Sequence, residues 1–146
     1  MKVLSLFDGI SCGMLALQRA GIPVECYDAF EIDKYAVTVS KRNFPVIVHH
    51  GNVYDGDFTQ FKGYDLLLGG SPCTYWSIAK KDREVDCNGE GFRLFKEYVR
   101  ALEESGCKYF LYENNYSVHQ NIKDEITRVL GVEPIMINSA LVSAQN

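Results

Sequence analysis

Short apolar segments alternate with segments of helical periodicity along almost the whole chain, and this alternation limits the possible fold more than any other feature of the sequence. Apolar runs bounded by turn residues predict strands, whereas apolar residues three and four positions apart predict helices that cover a sheet. The order is typical of an α/β fold with a mostly parallel sheet and helices on both faces. We predict strands at residues 3–7, 24–30, 46–48, 65–68, 109–112 and 134–137, and helices at 12–20, 33–42, 92–104 and 122–130, the first two capped by Ser11 and Asp33.

The size and composition of the chain fit one domain over residues 1–146. The 146 residues are 47% hydrophobic, which is enough apolar material for one buried core. No apolar run approaches the roughly 20 residues that cross a bilayer, and no signal-peptide pattern follows Met1, so a soluble intracellular protein is expected. The five cysteines lack paired CxxC spacing, which favours free thiols and indicates neither a disulfide framework nor a metal site.

The charge balance argues against a domain that holds nucleic acid through bulk electrostatics. The formal net charge is −4, whereas phosphate contacts need clustered lysine and arginine. A local exception lies between residues 80 and 100, where acidic residues are interspersed with six of the fifteen basic ones: Lys80, Lys81, Arg83, Arg93, Lys96 and Arg100. On spacing alone, this segment is better explained as a solvated loop and helix face than as a binding surface.

Polar and glycine-rich positions follow the first three predicted strands, where ligands of such sheets bind. In residues 7–13 (FDGISCG), two glycines allow a tight turn, and the next helix offers free N–H groups to a carboxylate or phosphate. Glu31 follows Asp8 by 23 residues, near the spacing at which an acid accepts hydrogen bonds from ribose hydroxyls. Asn52 ends the third strand, where its oxygen could meet an adenine amino group. An ordinary turn and a solvated or capping carboxylate remain open alternatives.

The strongest local signal is a cysteine at the end of the fourth predicted strand. Residues 69–73 (GGSPC) place Cys73 just past a rigid proline, at the start of the longest stretch without periodicity, residues 71–91. A nucleophilic thiol must be partly exposed, and the sheet edge and the nearby basic loop would favour its thiolate. Glu113 follows the fifth strand and is expected beside Cys73, where a desolvated carboxyl could donate a proton. An inert cysteine and a capping carboxylate are the alternatives.

Five ordered motifs together resemble the cytosine-C5 DNA methyltransferases. They are FDGISCG at 7–13, the acid Glu31, GN at 51–52, GGSPC at 69–73 and YENN at 112–115, and their wording is closest to the de novo type. The helix start at residues 91–95 (GFRLF) and the tail at 137–144 also look like family segments, so the resemblance covers nearly the whole chain. It implies a Rossmann-like methyltransferase fold that uses S-adenosylmethionine and acts on DNA.

The resemblance also implies a role for each motif residue. Phe7 would lie against the adenosine, residues 8–13 around the methionine part, Glu31 on the ribose and Asn52 with Val53 on the adenine. The residues so implied at the cofactor are Phe7, Asp8, Gly9, Ile10, Ser11, Cys12, Gly13, Glu31, Ile32, Asn52, Val53 and Gly70. Those implied at a flipped-out target base are Ser71, Pro72 and Asn114, with residues 74–91 as a mobile loop that closes over it.

In the family's chemistry, Cys73 would attack C6 of cytosine while Glu113 holds the N3 edge, and C5 would take the methyl group. Two positions depart from the family's pattern: Asn52 stands where an aspartate is customary, and Asn115 replaces a valine. The sequence stops at Asn146, before the family's target-recognition region and its last strand. We therefore expect an incomplete domain, truncated before that strand, that needs a C-terminal part or a second chain.

Two other interpretations remain open at this point. The chain could be a non-catalytic relic or partner-binding module with the same fold, or it could methylate cytosine in RNA by the same chemistry.

Overall fold

Five parallel strands form one sheet in the structure, a computed structural model that describes residues 1–141. The strands are β1 (Lys2–Leu6), β2 (Cys26–Phe30), β3 (Val48–His49), β4 (Leu66–Gly69) and β5 (Tyr109–Tyr112). Their order is β3-β2-β1-β4-β5, and every pairing is parallel. Because the strands are parallel, their carboxyl ends meet at one edge of the sheet, and the segments that follow them become neighbours.

Within the described residues, four α-helices accompany the strands: α1 (Cys12–Arg19), α2 (Lys34–Asn43), α3 (Glu90–Ser105) and α4 (Gln120–Leu130). Asp33 begins α2 as predicted, because its carboxylate accepts hydrogen bonds from the N–H groups of Tyr35 at 2.8 Å and Ala36 at 3.4 Å. Helices α3 and α4 end at Gly106 and Gly131, whose φ angles of 64° and 70° lie in the left-handed region that glycine adopts without strain.

Alternate side chains of the central strand pack on opposite faces of the sheet. Leu4 and Leu6 of β1 join Tyr98 of α3 in one apolar cluster, whereas Val3 joins Met14 of α1 in another. All five side chains are at most 3% exposed. Burial of a side chain of this size stabilises the fold by about 1.5–3 kcal/mol. The predicted sheet with helices on both faces is therefore confirmed.

A third apolar cluster lies beyond the sheet and fixes the segment between β4 and α3. Trp76 is fully buried against Phe92 and Phe95 of α3 and against Val118 and Ile122 near α4. The segment was predicted as a long irregular loop, and a short 3₁₀ turn at Cys73–Tyr75 is its first regular element. Its first part is thus anchored by an aromatic side chain.

One predicted strand is wrong. Residues 134–137 pair with no strand in the described part of the chain, and Ile135, Met136 and Ile137 are 87%, 59% and 76% exposed. An apolar run becomes a strand only where a neighbour supplies backbone partners, and these residues have none here. The other five strands and the four helices are confirmed, with β3 shorter than expected. The last part of the family-like tail, residues 142–144, lies outside the described residues.

The prediction that Ser11 caps α1 is confirmed for its position but not for its hydroxyl. Ser11 stands at the position before the helix, but its φ of 66° is left-handed and its hydroxyl makes no capping bond. The hydroxyl donates instead to the carboxylate of Asp8.

Over residues 1–141, no helix combines the length and apolarity that a membrane crossing requires. Nor do the described residues include three or more His, Cys, Asp or Glu side chains grouped so as to hold a metal ion.

Candidate active site

The segments after β1, β2, β4 and β5 lie side by side at the carboxyl edge of the sheet. Leu6, the last residue of β1, pairs with Phe30 of β2 and with Gly69 of β4, and Gly69 pairs with Tyr112 of β5. Residues 7–13, Glu31, the GGSPC segment and Glu113 therefore share one edge. Only the tertiary arrangement brings these four segments of the sequence together.

The loop after β1 is shaped by three buried hydroxyl groups that donate to the carboxylate of Asp8. Oδ1 of Asp8 accepts hydrogen bonds from Ser5 Oγ at 2.6 Å and from Tyr27 Oη at 2.7 Å, and Oδ2 accepts from Ser11 Oγ. Burial is the main cause that raises the pKa of Tyr27, followed by the charge of Asp8, so the phenol stays a donor. These bonds hold Phe7 and Ser11 at φ angles of 56° and 66°, a conformation that residues other than glycine rarely adopt.

A hydrogen-bond chain continues from this loop to β3. Ser11 Oγ lies 2.6 Å from Ser40 Oγ of α2, and Ser40 Oγ lies 3.1 Å from Nε2 of His49. Nδ1 of His49 is buried and has no hydrogen-bond partner among the described residues. Burial lowers the pKa of His49 below its usual value of 6.5, which favours the neutral ring. The loop is thus fixed to two further elements by uncharged groups.

Glu31 closes β2 and ties the loop after β1 to the start of α2. Its Oε2 accepts from the N–H of Gly9 at 2.8 Å, and its Oε1 accepts from the N–H groups of Ile32 and Asp33, both at 2.8 Å. Each carboxylate oxygen can accept more than one hydrogen bond, so Glu31 keeps capacity for a ligand hydroxyl. The neighbouring Ile32 is 76% exposed and offers an apolar surface beside it.

Gly13 lets α1 lie close to the sheet. A Cβ added there would stand 2.8 Å from Tyr27 Oη and 2.9 Å from Leu68 Cδ1, closer than such atoms approach without a shift. The glycine thus supports the position of the first turn of α1, where the backbone N–H groups have no partner within the helix. Cys12 and Ile10 beside it are exposed. This end of α1 can receive an anionic group.

The segment after β3 is anchored by a residue that the motifs do not include. Asn52 is exposed, and its Oδ1 accepts from the N–H of Tyr54 at 3.1 Å. Val53 is 4% exposed, so its side chain belongs to the core. Arg100 of α3 donates to the carbonyl of Val53 at 3.0 Å and to that of Gly56 at 2.9 Å. The backbone beside Asn52 is therefore held in place from α3.

The ends of β4 and β5 are in direct contact. The N–H of Glu113 donates to the carbonyl of Gly69 at 2.9 Å, which extends the ladder one residue past the end of β5. A Cβ added at Gly70 would stand 2.3 Å from the Glu113 carbonyl oxygen and 3.2 Å from its Oε2. Only a residue without a side chain fits between the two ends.

Hydrogen bonds between the two segments reinforce this contact. Ser71 is buried, its Oγ lies 2.7 Å from Tyr112 Oη, and its carbonyl accepts from Asn114 Nδ2 at 2.9 Å. Burial raises the pKa of Tyr112 to about 12, so this phenol also remains protonated. Ser71 and Asn114 therefore stabilise the junction that carries Cys73 and Glu113.

Cys73 and Glu113 are both exposed at this junction. Pro72 precedes the 3₁₀ turn of Cys73, and the carbonyl of Cys73 accepts from the N–H groups of Trp76 at 3.0 Å and Ser77 at 2.9 Å. A thiol and a carboxyl thus follow adjacent parallel strands, next to a glycine-rich loop and an acid with spare acceptor capacity. This arrangement suits attack on an electrophilic ring held beside a bound nucleotide-like cofactor.

A sequence model of the C-5 cytosine-specific DNA methylases matches residues 1–130. The chain belongs to this family. The resemblance drawn from the five motifs is thereby confirmed, and we call these five the methylase motifs.

Several curated methylases are similar to this chain. The orphan methyltransferase M.SPRI of Bacillus phage SPR is 38% identical over 118 residues, which cover 78% of this chain and 26% of the phage protein. The type II methyltransferase M.HgiCII of Herpetosiphon aurantiacus is 34% identical over 77% of this chain and 25% of its own length. The chain spans about a quarter of the length of these relatives.

Solved structures confirm the methyltransferase fold of this chain. A DNMT2 variant from Spodoptera frugiperda superposes with a TM-score of 0.69 at 23% identity, over 89% of this chain and 40% of that one. The Dnmt2 methyltransferase of S. pombe gives 0.62 at 18% identity, over 90% and 41%. The family and the fold imply S-adenosylmethionine as the cofactor.

The methylase motifs were found from sequence, but the residues that shape them were not. Tyr27, Ser40 and His49 fix the loop after β1, Arg100 fixes the segment after β3, and Tyr112 holds Ser71. Tyr112 lies within the YENN motif, so the sequence did mark it as a residue of the site. The other four lie inside ordinary strands and helices or beside them, where no sequence pattern separates a hydrogen-bond partner from a core or surface residue.

Proposed function

We propose that this methylase carries the catalytic and cofactor-binding residues of an enzyme that transfers a methyl group from S-adenosylmethionine to C5 of cytosine in DNA. The single observation that carries the proposal is the junction of β4 and β5, where Cys73 and Glu113 lie exposed on adjacent strand ends that meet at Gly70. The motif residues named above keep their roles within this proposal.

The residues at the carboxyl edge fit S-adenosylmethionine. Spare acceptor capacity on Glu31 suits ribose hydroxyls, exposed Ile32 suits an adenine face, and the first turn of α1 suits a carboxylate. Asn52 and the backbone beside it would meet the adenine edge. Asp8 would act by shaping the loop, because its carboxylate accepts from the buried side chains of Ser5, Ser11 and Tyr27, whereas within residues 1–141 Glu31 accepts only from backbone N–H groups at the sheet edge. The bound cofactor would supply an electrophilic methyl group.

Cys73 would form a bond from its thiolate sulfur to C6 of a flipped-out cytosine. The electrons of the C5–C6 double bond move to C5, while Glu113 donates its proton at N3. After C5 has been methylated, solvent would take the C5 proton, and the electrons of the C5–H bond would restore the C5–C6 double bond as the S–C6 bond breaks. N3 would then return its proton to Glu113. Glu113 is exposed in this chain, so a docked base can reach its carboxyl.

Activity would require a further polypeptide segment, in the same chain or in a second one, that carries target recognition. An exposed apolar surface supports this part of the proposal. Tyr109 and Leu111 of the edge strand β5 are 51% and 55% exposed, and the unpaired residues 135–137 are more exposed still. Exposed apolar side chains on an unpaired edge strand are typical of a surface that a further segment covers. The net charge of −4 indicates that most phosphate contacts would also come from that segment.

A covalent trap tests the proposal. Duplex DNA that carries 5-fluorocytosine should form a denaturation-resistant adduct with Cys73 in the presence of S-adenosylmethionine, either with the chain alone or after addition of a C-terminal partner. The fluorine blocks the elimination step, so the Cys73–C6 bond persists. Cys73→Ser should abolish the adduct and leave cofactor affinity unchanged by calorimetry, because the thiol contacts the base. A fall in cofactor affinity with Cys73→Ser would contradict the assigned role.

The same assay separates the other two interpretations. Cofactor binding without any adduct, in every extended form, would identify a relic or partner-binding module. An RNA substrate that outcompetes DNA for the adduct would identify an RNA cytosine methyltransferase.

A further inference from the structure

Glu84, in the segment between β4 and α3, connects this segment to the start of α3. Its Oε2 accepts from the indole Nε1 of Trp76 at 3.2 Å and from the N–H of Gly91 at 3.1 Å. Its own N–H donates to the carbonyl of Tyr75 at 2.9 Å. Gly89 stands at the cap position of α3 without a side-chain bond, so Glu84 supplies the acceptor that a capping side chain would otherwise provide. We call Trp76, Glu84 and Gly91 the clasp.

The three residues of the clasp are packed so tightly that a side chain at Gly89 or Gly91 would not fit. A Cβ added at Gly91 would stand 2.7 Å from Trp76 Nε1 and 2.9 Å from Glu84 Oε2, and one at Gly89 would stand 2.1 Å from Glu84 Cδ. Both glycines have φ angles outside the left-handed region, so the reason for glycine here is the space that the indole and the carboxylate occupy.

Trp76 connects the clasp to the backbone of Cys73 through hydrogen bonds. The N–H groups of Trp76 and Ser77 both donate to the Cys73 carbonyl, which closes the 3₁₀ turn that carries the thiol. The fully buried indole fixes one end of that turn, and Pro72 fixes the other. Rotation of the Cys73 peptide would require the indole to leave its site.

A second tether joins the same segment to the residues after β5. Arg83, next to Glu84, donates from Nη1 to the carbonyl of Ser117 at 2.8 Å, and Ser117 Oγ donates to Asn115 Oδ1 at 2.8 Å. Asn115 lies two residues after Glu113. The segment between β4 and α3 is therefore tied to both sides of the β4–β5 junction, through Trp76 to Cys73 and through Arg83 to the residues after Glu113.

We propose that Trp76 and Glu84 are positioning residues that orient Cys73 for attack on the base. The proposal rests on the nucleophilic role of Cys73 and extends it to two side chains outside the methylase motifs. In this role, residues 74–91 hold the thiol through the clasp before any substrate binds, and only the exposed part near Ile78 to Lys81 is left to move over the base.

Trp76 is the one tryptophan of the 146 residues, so its fluorescence reports on the clasp directly. Glu84→Ala and Gly91→Ala should each shift the emission to longer wavelength and increase acrylamide quenching. Alanine at Gly91 also favours a helix by roughly 1 kcal/mol, so it displaces the indole without weakening α3. Glu84→Gln keeps an acceptor oxygen and should retain most of the native signal. Glu103→Ala removes an exposed carboxyl of α3 as the charge control.

Hydrogen exchange of the Trp76 and Ser77 amides tests the step from the clasp to Cys73. Both amides should exchange roughly tenfold faster in Glu84→Ala and Gly91→Ala, whereas the amides of β1 should keep their protection. Unchanged quenching and exchange in both variants would overturn the proposal. Loss of protection throughout the sheet in Glu84→Ala would mean general unfolding, and Gly91→Ala then decides the question.

The rate of adduct formation with 5-fluorocytosine DNA completes the test. In the two clasp variants it should fall about 100-fold at saturating DNA and cofactor, with cofactor affinity unchanged, because a shift of about 1 Å at a reacting group costs that much. A released clasp with an unchanged trapping rate would also overturn the proposal. If the native protein forms no adduct, the proposed function fails, while fluorescence and exchange still decide whether the clasp orients Cys73.

Discussion

Replacement of Gly70 by alanine inserts a methyl group between the ends of β4 and β5. The new Cβ would lie 2.3 Å from the carbonyl oxygen of Glu113, a backbone atom that cannot rotate away. A relaxed carbon–oxygen contact is about 3.3 Å, so the two strand ends must separate by about 1 Å. Overpacking of this kind costs about 1–3 kcal/mol of stability. A displacement of that size between Cys73 and Glu113 should slow attack on the base about 100-fold.

The assay compares thermal unfolding with the rate of adduct formation on 5-fluorocytosine DNA, in the form of the protein that traps the base. Gly106→Ala is the matched control, because Gly106 has a φ of 64° with nothing within 4 Å of the added methyl group. Alanine there should cost about 1 kcal/mol through backbone strain at the end of α3, away from the strand ends. The control should thus lose stability and keep its trapping rate.

A Gly70→Ala protein that traps the base as fast as the native protein would refute this reasoning. It would mean that the contact between Gly70 and Glu113 does not set the separation of the thiol and the carboxyl. Equal losses of trapping in Gly70→Ala and Gly106→Ala would refute it as well, since stability alone would then explain the effect.

Three further outcomes are expected. Tyr27→Phe removes the phenol that donates to Asp8, and it should cost about 1 kcal/mol in denaturant unfolding and weaken S-adenosylmethionine binding in calorimetry. The pKa of His49 is lowered in the folded protein, so at a pH below the ordinary histidine pKa of about 6.5 the unfolded chain binds more protons than the folded one. The free energy of unfolding should therefore fall as the pH drops through about 6.5. His49→Gln should flatten this dependence in thermal melts between about pH 5 and 8. Arg100→Met removes the donor to two loop carbonyls and to Glu97, and one of the two donors to Glu104, so it should cost about 2 kcal/mol. Lys96→Met on the exposed side of α3 should leave the melting temperature nearly unchanged.

The sequence predicted most of the secondary structure because local periodicity records which side of each element is buried. The apolar strand 109–112 and the cap at Asp33 are local features, and both were found. The same reasoning failed at residues 134–137 and at the hydroxyl of Ser11. In each case the outcome depended on a partner far along the chain: a neighbouring strand that is absent in the described part, and Ser40 of α2, which together with Asp8 engages the Ser11 hydroxyl.

What the sequence determined by itself was the set of chemical groups and their order: a glycine-rich turn, an acid, a cysteine and a second acid, each just after a predicted strand. The tertiary structure alone decided which of these groups meet and how they are held. The contact of Gly70 with Glu113 and the bonds of Tyr27 to Asp8 and of Glu84 to Trp76 depend on where strands and helices dock. Docking is governed by the packing of the whole core, so no local pattern records it.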